Sequence, residues 1–132
     1  KAGIDQIKSA GASQAYNKSN AFEITEALRN QLKPVFSRPS MKGIIAEAKA
    51  LAAENGEKFS GTTLQNIDMK GLDYVQRRLR ARTSAAYNSG DGMMGGAIAK
   101  TREELVNILD KANDDFRQAR GLYSDAMSRQ EL

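Results

Sequence analysis

The stretch that decides the fold is SGDGMMGGAIAKT, residues 89–101, which combines clustered glycines with a lysine and a threonine. A phosphate-binding P-loop has the pattern G-x-x-x-x-G-K-[ST] between a buried strand and a helix, so it would require an α/β fold. Gly95 and Lys100–Thr101 have the outer spacing, but Ala99 stands where the second glycine is needed, and no β-branched apolar run precedes the glycines. The pattern therefore predicts a flexible connection between two helices.

Helical periodicity extends from this connection in both directions. Residues 68–86 carry apolar side chains at the 3.6-residue spacing of a helix, and a further helix is predicted over about residues 98–111, with Met93 and Met94 filling the gap beneath the connection. Upstream, Pro39 suits a first helical turn and Gly56 suits a left-handed C-terminal cap. The inward-facing residues expected for these three helices are Met69, Leu72, Val75, Leu79 and Ala86, then Leu105, Ile108, Leu109 and Ala112, and Met41, Ile44, Ile45, Ala48, Leu51 and Ala52.

The N-terminal part is predicted to contain one more helix and an arm. Asn20 followed by Glu23 forms a capping-box pattern, which predicts that a helix starts near residue 20. Pro34 is expected to end or kink that helix, because proline lacks the amide hydrogen and clashes with the preceding turn. Residues 1–18 have few apolar residues at regular spacing and are predicted to form a poorly ordered or short helical arm.

The C-terminal part is predicted to end in another helix. Asn113 is a suitable N-cap, and Asp114 and Asp115 suit the positive first turn of the helix that follows. The segment 57–66 is predicted to be a loop, and no alternating strand pattern of useful length is found. The sequence thus predicts an all-α fold, a bundle of about five helices with short loops and no sheet, in which residues 19–132 form the bundle domain.

The composition limits the chemistry. The 132 residues include no cysteine and no histidine, which excludes disulfides, Cys/His zinc sites, cysteine nucleophiles and histidine-based triads within this chain. The adjacent pairs Glu103–Glu104 and Asp114–Asp115 diverge by about 100° on a helix, so neither converges on one point. Thr101 with Glu104 instead forms a capping-box pattern. We therefore expect no catalytic residues, no metal or cofactor site and no small-molecule substrate, and hence no enzyme.

Arginines are concentrated in RRLRAR, residues 77–82, and provide the main candidate contact surface. Arginine clusters can bind nucleic-acid phosphates. At about 100° per residue, however, Arg77, Arg78, Arg80 and Arg82 are spread over the exposed half of the helix instead of forming one stripe. This spread favours an ordinary solvated surface over a nucleic-acid contact. Since the formal net charge is only +4, nucleic-acid binding is expected to be weak.

Tyr74 is predicted to lie on the outside of the same helix. On a helical wheel it is about 200° from Leu72, within reach of Arg78 one turn later. An outward tyrosine indicates either a contact with another helix or chain, or simple exposure to solvent. The chain also has no tryptophan and only 40% hydrophobic residues, which predicts a thin core. We therefore expect either self-association or dependence on flanking parts of the parent protein. The contact surface should include Tyr74 and neighbouring residues of the 68–86 helix, with Arg78 beside it.

Three segments, taken in order, carry a family resemblance: RPSMKGIIAEAKALAAENG, TLQNIDMKGLDYVQRRLRAR and TREELVNILDKANDDFRQARGLYSD. Together they resemble a helical region of large phage and prophage proteins, the long virion or ejection-type proteins also called large polyvalent proteins. The resemblance covers about residues 37–125 and departs from the usual pattern at Gln76, Asn113–Asp114 and Phe116. The positions that carry it are Arg38-Pro39-Ser40, Leu72-Asp73-Tyr74-Val75, Arg102, Leu105, Leu109-Asp110, Phe116, Ala119-Arg120 and Tyr123.

The resemblance implies a non-enzymatic structural or interaction domain of a virion-associated protein, such as an internal or DNA-ejection protein. Its partners would be further copies or other virion proteins, and its location the virion or the bacterial host cytoplasm. The chain lacks an initiator methionine, a signal-peptide core and a membrane-length apolar run, so we expect a fragment of a longer protein. The alternative is a nucleic-acid-binding accessory domain that uses residues 77–82.

Overall fold

A computed structural model describes residues 16–121 of the chain. Most of the predicted arm at 1–18, and Tyr123 from the family pattern, lie outside the described residues. In the described part there are helices and turns but no strand, and the all-α prediction is confirmed. The helices are α1 (Glu26–Phe36), α2 (Ile44–Glu54), α3 (Met69–Asn88) and α4 (Gly92–Ala112), with a 3₁₀ turn at Pro39–Met41. Residues 16–20 and 114–121 are also helical.

The chain divides into two compact units. One is Glu23–Ile108, and the described part of the other consists of residues 16–22 and 109–121. In the second unit, Asn113 is buried and caps the 114–121 helix, because its Oδ1 accepts a hydrogen bond from the Phe116 amide at 3.2 Å. Its Nδ2 donates to the Ser19 carbonyl at 3.1 Å. The N-cap prediction for Asn113 is confirmed, and Phe116 and Ala119 are fully buried as expected.

Helix α1 begins later than predicted. Its N-cap is Thr25, whose Oγ1 accepts a hydrogen bond from the Leu28 amide at 3.1 Å. The predicted start at Asn20 is wrong, since residues 16–20 are themselves helical and a turn follows them. Pro34 lies inside α1, which continues to Phe36. Near the end of a helix proline removes only one of the last hydrogen bonds, so α1 continues for a short distance beyond it.

Helices α2 and α3 pack against each other in the unit Glu23–Ile108. The face of α2 toward the core is made of Ile44, Ala48 and Ala52, all buried, and its small alanines leave room for close approach. The helix starts at Ile44 and not at Pro39, because Gly43 has the left-handed φ of +70° and separates α2 from the 3₁₀ turn. Gly56, with a φ of +71°, follows the last turn as predicted.

Helices α3 and α4 are joined by a short connection, residues 89–91. The predicted flexible connection is therefore wrong in its extent, since α4 begins at Gly92 and most of the glycine-rich stretch is helical. Asp91 caps the helix through a hydrogen bond that its Oδ1 accepts from the Met94 amide at 3.0 Å. Thr101 lies in mid-helix, where its Oγ1 donates to the Ala97 carbonyl at 3.1 Å, so the predicted capping box with Glu104 is also wrong.

The geometry of α4 bears directly on phosphate binding. The amides of residues 97–100 lie inside the helix and cannot wrap a phosphate. Its N-terminus already carries the Asp91 carboxylate, which would repel an anion. Both features differ from a P-loop, in which free amides surround the phosphate.

Candidate interaction surface

Tyr74 is buried, with 1% of its surface exposed, so the expectation that it points outward is wrong. Its ring stacks on the ring of Phe59 with 6.2 Å between centroids, and its hydroxyl donates to Glu57 Oε1 at 2.7 Å. Burial raises the pKa of Tyr74. The segment 57–68 supplies both contacts and covers the side of α3 that the helical wheel left exposed. A helical wheel shows which residues share a face of one helix, but it does not show that a loop covers one of those faces.

The 57–68 segment is itself held by side chains. Asp68 caps α3 through Oδ1, which accepts from the Gly71 amide at 2.8 Å, and its Oδ2 accepts from the Ser60 amide at 2.9 Å. Asn66 Oδ1 accepts three further hydrogen bonds from Thr62 and Thr63, each of 2.9–3.0 Å. Phe59 and Ile67 are buried beneath this frame. The loop prediction for residues 57–66 is confirmed, but the loop packs as part of the core.

Arg77 contacts Asp73 and Tyr74 on its own helix. Its Nη2 lies 2.8 Å from Asp73 Oδ2, and its guanidinium carbon is 4.8 Å from the centre of the Tyr74 ring. The sequence predicts that Arg78 contacts Tyr74. In the structure Arg77 makes this contact instead. Burial raises the pKa of Asp73, while the Arg77 charge acts in the opposite direction. Asp73 Oδ1 also accepts a hydrogen bond from Gln76 Nε2 at 2.9 Å.

Arg78 and Arg82 both bind Glu47 and tie α3 to α2. Arg78 Nε lies 2.6 Å from Glu47 Oε1, and Arg82 forms an ion pair with the second carboxylate oxygen. Arg82 also donates to the Ser40 and Lys42 carbonyls at 2.6 and 3.0 Å. The hydrogen bond from Arg82 lowers the pKa of Glu47 to about 2, although burial opposes this shift, and Arg78 adds to the lowering.

The four candidate arginines therefore do not form one open surface. Three of them, Arg77, Arg78 and Arg82, are held by carboxylates within the same unit. Arg80 is exposed and has no ion-pair partner among residues 16–121. This arrangement leaves one of the four as a free cation.

Other polar residues, in the family-like pattern and beside it, also connect helices. Gln76 Oε1 accepts hydrogen bonds from Arg102 Nη2 and Nε at 2.8 and 3.1 Å, which links α3 to α4. Arg38 forms an ion pair with Glu104. In the second unit, Arg120 forms an ion pair with Asp110. Most polar side chains of the pattern thus form hydrogen bonds or ion pairs that stabilise the fold.

An exposed apolar surface occurs at the end of the α3–α4 hairpin, and sequence reasoning missed it. Met93 and Met94, predicted to fill a gap, are 90% and 50% exposed, and Tyr87 is 52% exposed. The Tyr87 ring lies across Gly95, where the position of an ideal Cβ would be 3.0 Å from three ring carbons. Tyr87 thus covers the glycines, which leaves no gap for a methionine. We call these three residues the hairpin patch.

The hairpin patch lies in a stretch of the sequence that is poor in charge. Between Arg82 and Lys100 the only charged residue is Asp91, although 27% of the whole chain is charged. A charge-poor stretch that ends up on the surface is typical of a contact region. The signal could be recognised only once the stretch was known to be exposed.

The described part also has neither a metal-binding cluster nor a helix that could span a membrane. Residues 16–121 contain no group of three or more acidic, histidine or cysteine side chains able to hold a metal ion. None of their helices has both the length and the apolar character needed to cross a bilayer.

Comparisons of the chain with protein-family models, with curated proteins and with solved structures find no match.

Proposed function

We propose that this chain is a non-enzymatic structural or interaction domain of a phage or prophage virion-associated protein, such as an internal or DNA-ejection protein. The ordered set of motifs over residues 37–125 supports the origin. The interaction role is supported by one observation above others: large apolar side chains, Tyr87, Met93 and Met94, stay exposed at the end of the α3–α4 hairpin. Exposed apolar patches of this kind are commonly contact sites.

The distribution of polar side chains agrees with this role. Arg38, Arg102 and Asp73 match the family-like pattern, and each has a polar partner inside the unit Glu23–Ile108. Such residues maintain the positions of helices, and the partner-binding surface then lies elsewhere. Partners of the proposed domain are other virion proteins or further copies, in the particle or in the host cytoplasm.

The experiment is to look for the protein in particles. Phage particles induced from the source strain would be purified by density gradient after nuclease treatment, and peptides from residues 16–121 quantified by mass spectrometry against known capsid proteins. We expect these peptides to follow the capsid through the gradient. Peptides confined to the unsedimented lysate would contradict the proposal.

The alternative role, a nucleic-acid-binding accessory domain, has one observation in its favour. Arg80 is exposed and the chain has a net charge of +4. Against it, Arg77, Arg78 and Arg82 already neutralise carboxylates. The dependence of DNA affinity on salt concentration separates the two roles, because its slope reports the number of phosphates contacted.

A further inference from the structure

The hairpin patch is flanked by charges of opposite sign. Asp91 lies at the turn, beyond the patch, while Arg80 and Lys100 lie on the helices behind it, and all three are exposed. None of these three has an ion-pair partner among residues 16–121. The unit therefore presents an apolar surface with a negative charge at its tip and two positive charges behind it.

The spacing places each positive charge on the same face of its helix as one residue of the hairpin patch. Arg80 and Tyr87 are seven residues apart on α3, and Met93 and Lys100 are seven residues apart on α4. Seven residues are close to two helical turns, so each pair shares a face with a separation of about 10 Å. The Tyr87 ring lies across Gly95, and its hydroxyl is 3.7 Å from the position of an ideal Cβ at Gly96. The end of α3 that carries Tyr87 therefore lies against the first turns of α4, which carry Met93 and Met94.

We propose that this end of the hairpin binds a second copy of the chain, in an antiparallel two-fold pairing. In that pairing Asp91 of each copy lies against Arg80 and Lys100 of the other, and the two apolar surfaces face each other between these charges. A two-fold interface uses the same patch on both partners, so it must be self-complementary. The sequence of charges along the hairpin, negative then apolar then positive, has this property.

The same charges disfavour other occupants. An anionic lipid surface would attract Arg80 and Lys100, but it would first meet Asp91 at the tip, which it repels. A uniformly acidic or basic protein surface would likewise leave one end of the hairpin opposed to a like charge. A partner must present its charges in the reverse order to place an opposite charge against both Asp91 and the Arg80–Lys100 pair. An antiparallel second copy has that order.

This inference rests on the interaction role proposed above and names the partner. The first test is sedimentation velocity over a wide range of concentrations, with the wild-type chain and the variant Met93→Glu. We expect the wild type to dimerise and the variant to show a dissociation constant raised about tenfold or more, as for loss of a central apolar contact. The matched control is Gln31→Glu, because Gln31 is exposed on α1. This variant should leave association unchanged.

The second test exchanges charges between two variants. Variant one carries Arg80→Glu and Lys100→Glu, and variant two carries Asp91→Lys. Each alone opposes like charges in a homodimer and should stay largely monomeric, whereas an equimolar mixture should form heterodimers. Circular dichroism and thermal melting check that each variant is folded. Since Asp91 caps α4, Met93→Glu and variant one serve as tests that keep the cap if Asp91→Lys unfolds.

Three results would overturn the inference. They are a wild-type chain that stays monomeric at every concentration, a mixture of the two folded charge variants that does not associate, and binding to anionic vesicles without self-association. Each of these leaves the virion role to be decided by the particle experiment, because a monomer that follows the capsid would still bind another virion protein. Failure of the two proposals is therefore distinguishable.

Discussion

Tyr74 and Tyr87 lie on the same helix, α3, and differ in exposure, at 1% and 52%. Removing the buried ring leaves a cavity against Phe59. It also removes one hydrogen bond from the Glu57 carboxylate, which keeps its ion pair with Lys70. We expect Tyr74→Ala to lower the free energy of unfolding by about 3–5 kcal/mol. Tyr74→Phe, which loses only the hydroxyl, should cost about 1 kcal/mol. Urea denaturation of both variants measures these differences.

Tyr87→Ala is the matched control for Tyr74, since it removes the same side chain from an exposed position on the same helix. Because about half of Tyr87 is exposed and the rest covers the glycines at the start of α4, we expect a smaller loss than at Tyr74, about 1–2 kcal/mol. Equal losses at the two positions would contradict the burial of Tyr74.

Glu47 should make stability depend on pH. Its pKa is lowered to about 2 in the folded chain from an ordinary value of 4.5, chiefly by the hydrogen bond from Arg82. A carboxylate whose folded-state pKa is lowered contributes stability that is present above its unfolded pKa and is lost as the pH falls toward its folded pKa. The contribution of Glu47 should therefore disappear between about pH 4.5 and pH 2.

The measurement compares wild type with Glu47→Gln across that range of pH. Because the Glu47 side chain is 40% exposed, solvent screens the pairs, and we expect a difference of about 1 kcal/mol at neutral pH. The difference should shrink toward pH 2. A difference that does not change with pH would show that the carboxylate charge is not responsible.

At the scale of elements, the contact between α3 and the 57–68 segment depends on Gly71. A Cβ added at Gly71 would lie 2.5 Å from Ile67 Cγ1 and 2.6 Å from Phe59 Cδ1. We expect Gly71→Ala to destabilise the chain by about 1–3 kcal/mol, because the segment must move away from the helix. Thermal or urea unfolding measures the loss.

Gly96→Ala provides the control for the same change within a helix. An added Cβ there would lie 3.7 Å from the Tyr87 hydroxyl, which is ordinary van der Waals contact. Since alanine favours helix more than glycine does, the variant should be more stable by about 0.5–1 kcal/mol. Destabilisation of similar size by both changes would argue against a specific close contact at Gly71.

The ends of a helix could be predicted where the capping hydrogen bonds are formed by residues close in sequence. Asn113 and Gly56 act locally, through caps formed within a few residues, and both were predictable. Asn20 has the stronger local signal, a capping box with Glu23, whereas Leu28 stands three residues after Thr25. The local pattern therefore indicates the wrong cap for α1. The glycines of α4 disfavour a helix intrinsically, but the Asp91 cap and the cover provided by Tyr87 support one there. The support from Tyr87 depends on the α3–α4 hairpin and could not be seen in a single-helix pattern.

At the scale of the whole molecule, charge pairing limits binding to nucleic acid. With Arg77, Arg78 and Arg82 held by carboxylates, we expect weak, nonspecific binding to DNA, with a dissociation constant no tighter than the usual range of about 10⁻⁴–10⁻⁶ M. The logarithm of the affinity should fall by roughly one unit or less per phosphate contacted for each tenfold rise in salt. Fluorescence anisotropy with a labelled duplex over a salt series measures this slope.

Arg80→Ala should lower this slope by about one unit, as expected for the loss of one phosphate contact. A steep slope that Arg80→Ala leaves intact, and that Arg77→Ala with Arg78→Ala abolishes, would instead favour the nucleic-acid role.

The candidate site was less predictable than the fold for a physical reason. Helical periodicity in the sequence correctly indicates the all-α class and most buried positions of α2. Exposure of a particular side chain, however, depends on every segment that packs near it. The helical wheel places Tyr74 on the surface because the 57–68 segment, which covers it, has no periodicity that would reveal its packing. Met93 is predicted to be interior because the sequence does not show that the Tyr87 ring covers the glycines. Both errors come from tertiary contacts that follow no sequence period.

The 57–68 segment has a consequence for hydrogen exchange. It contains no helix or strand, yet the amides of Ser60, Thr62 and Thr63 donate to the Asp68 and Asn66 side chains. Because Asp68 also caps α3, opening of this segment and fraying of the first turn of the helix should be one cooperative event. We expect these three amides to exchange slowly, together with the Gly71 amide, in mass-spectrometric or NMR exchange experiments. Asn66→Ala should release Thr62 and Thr63 alone, whereas Asp68→Ala should release Ser60 and the start of the helix together.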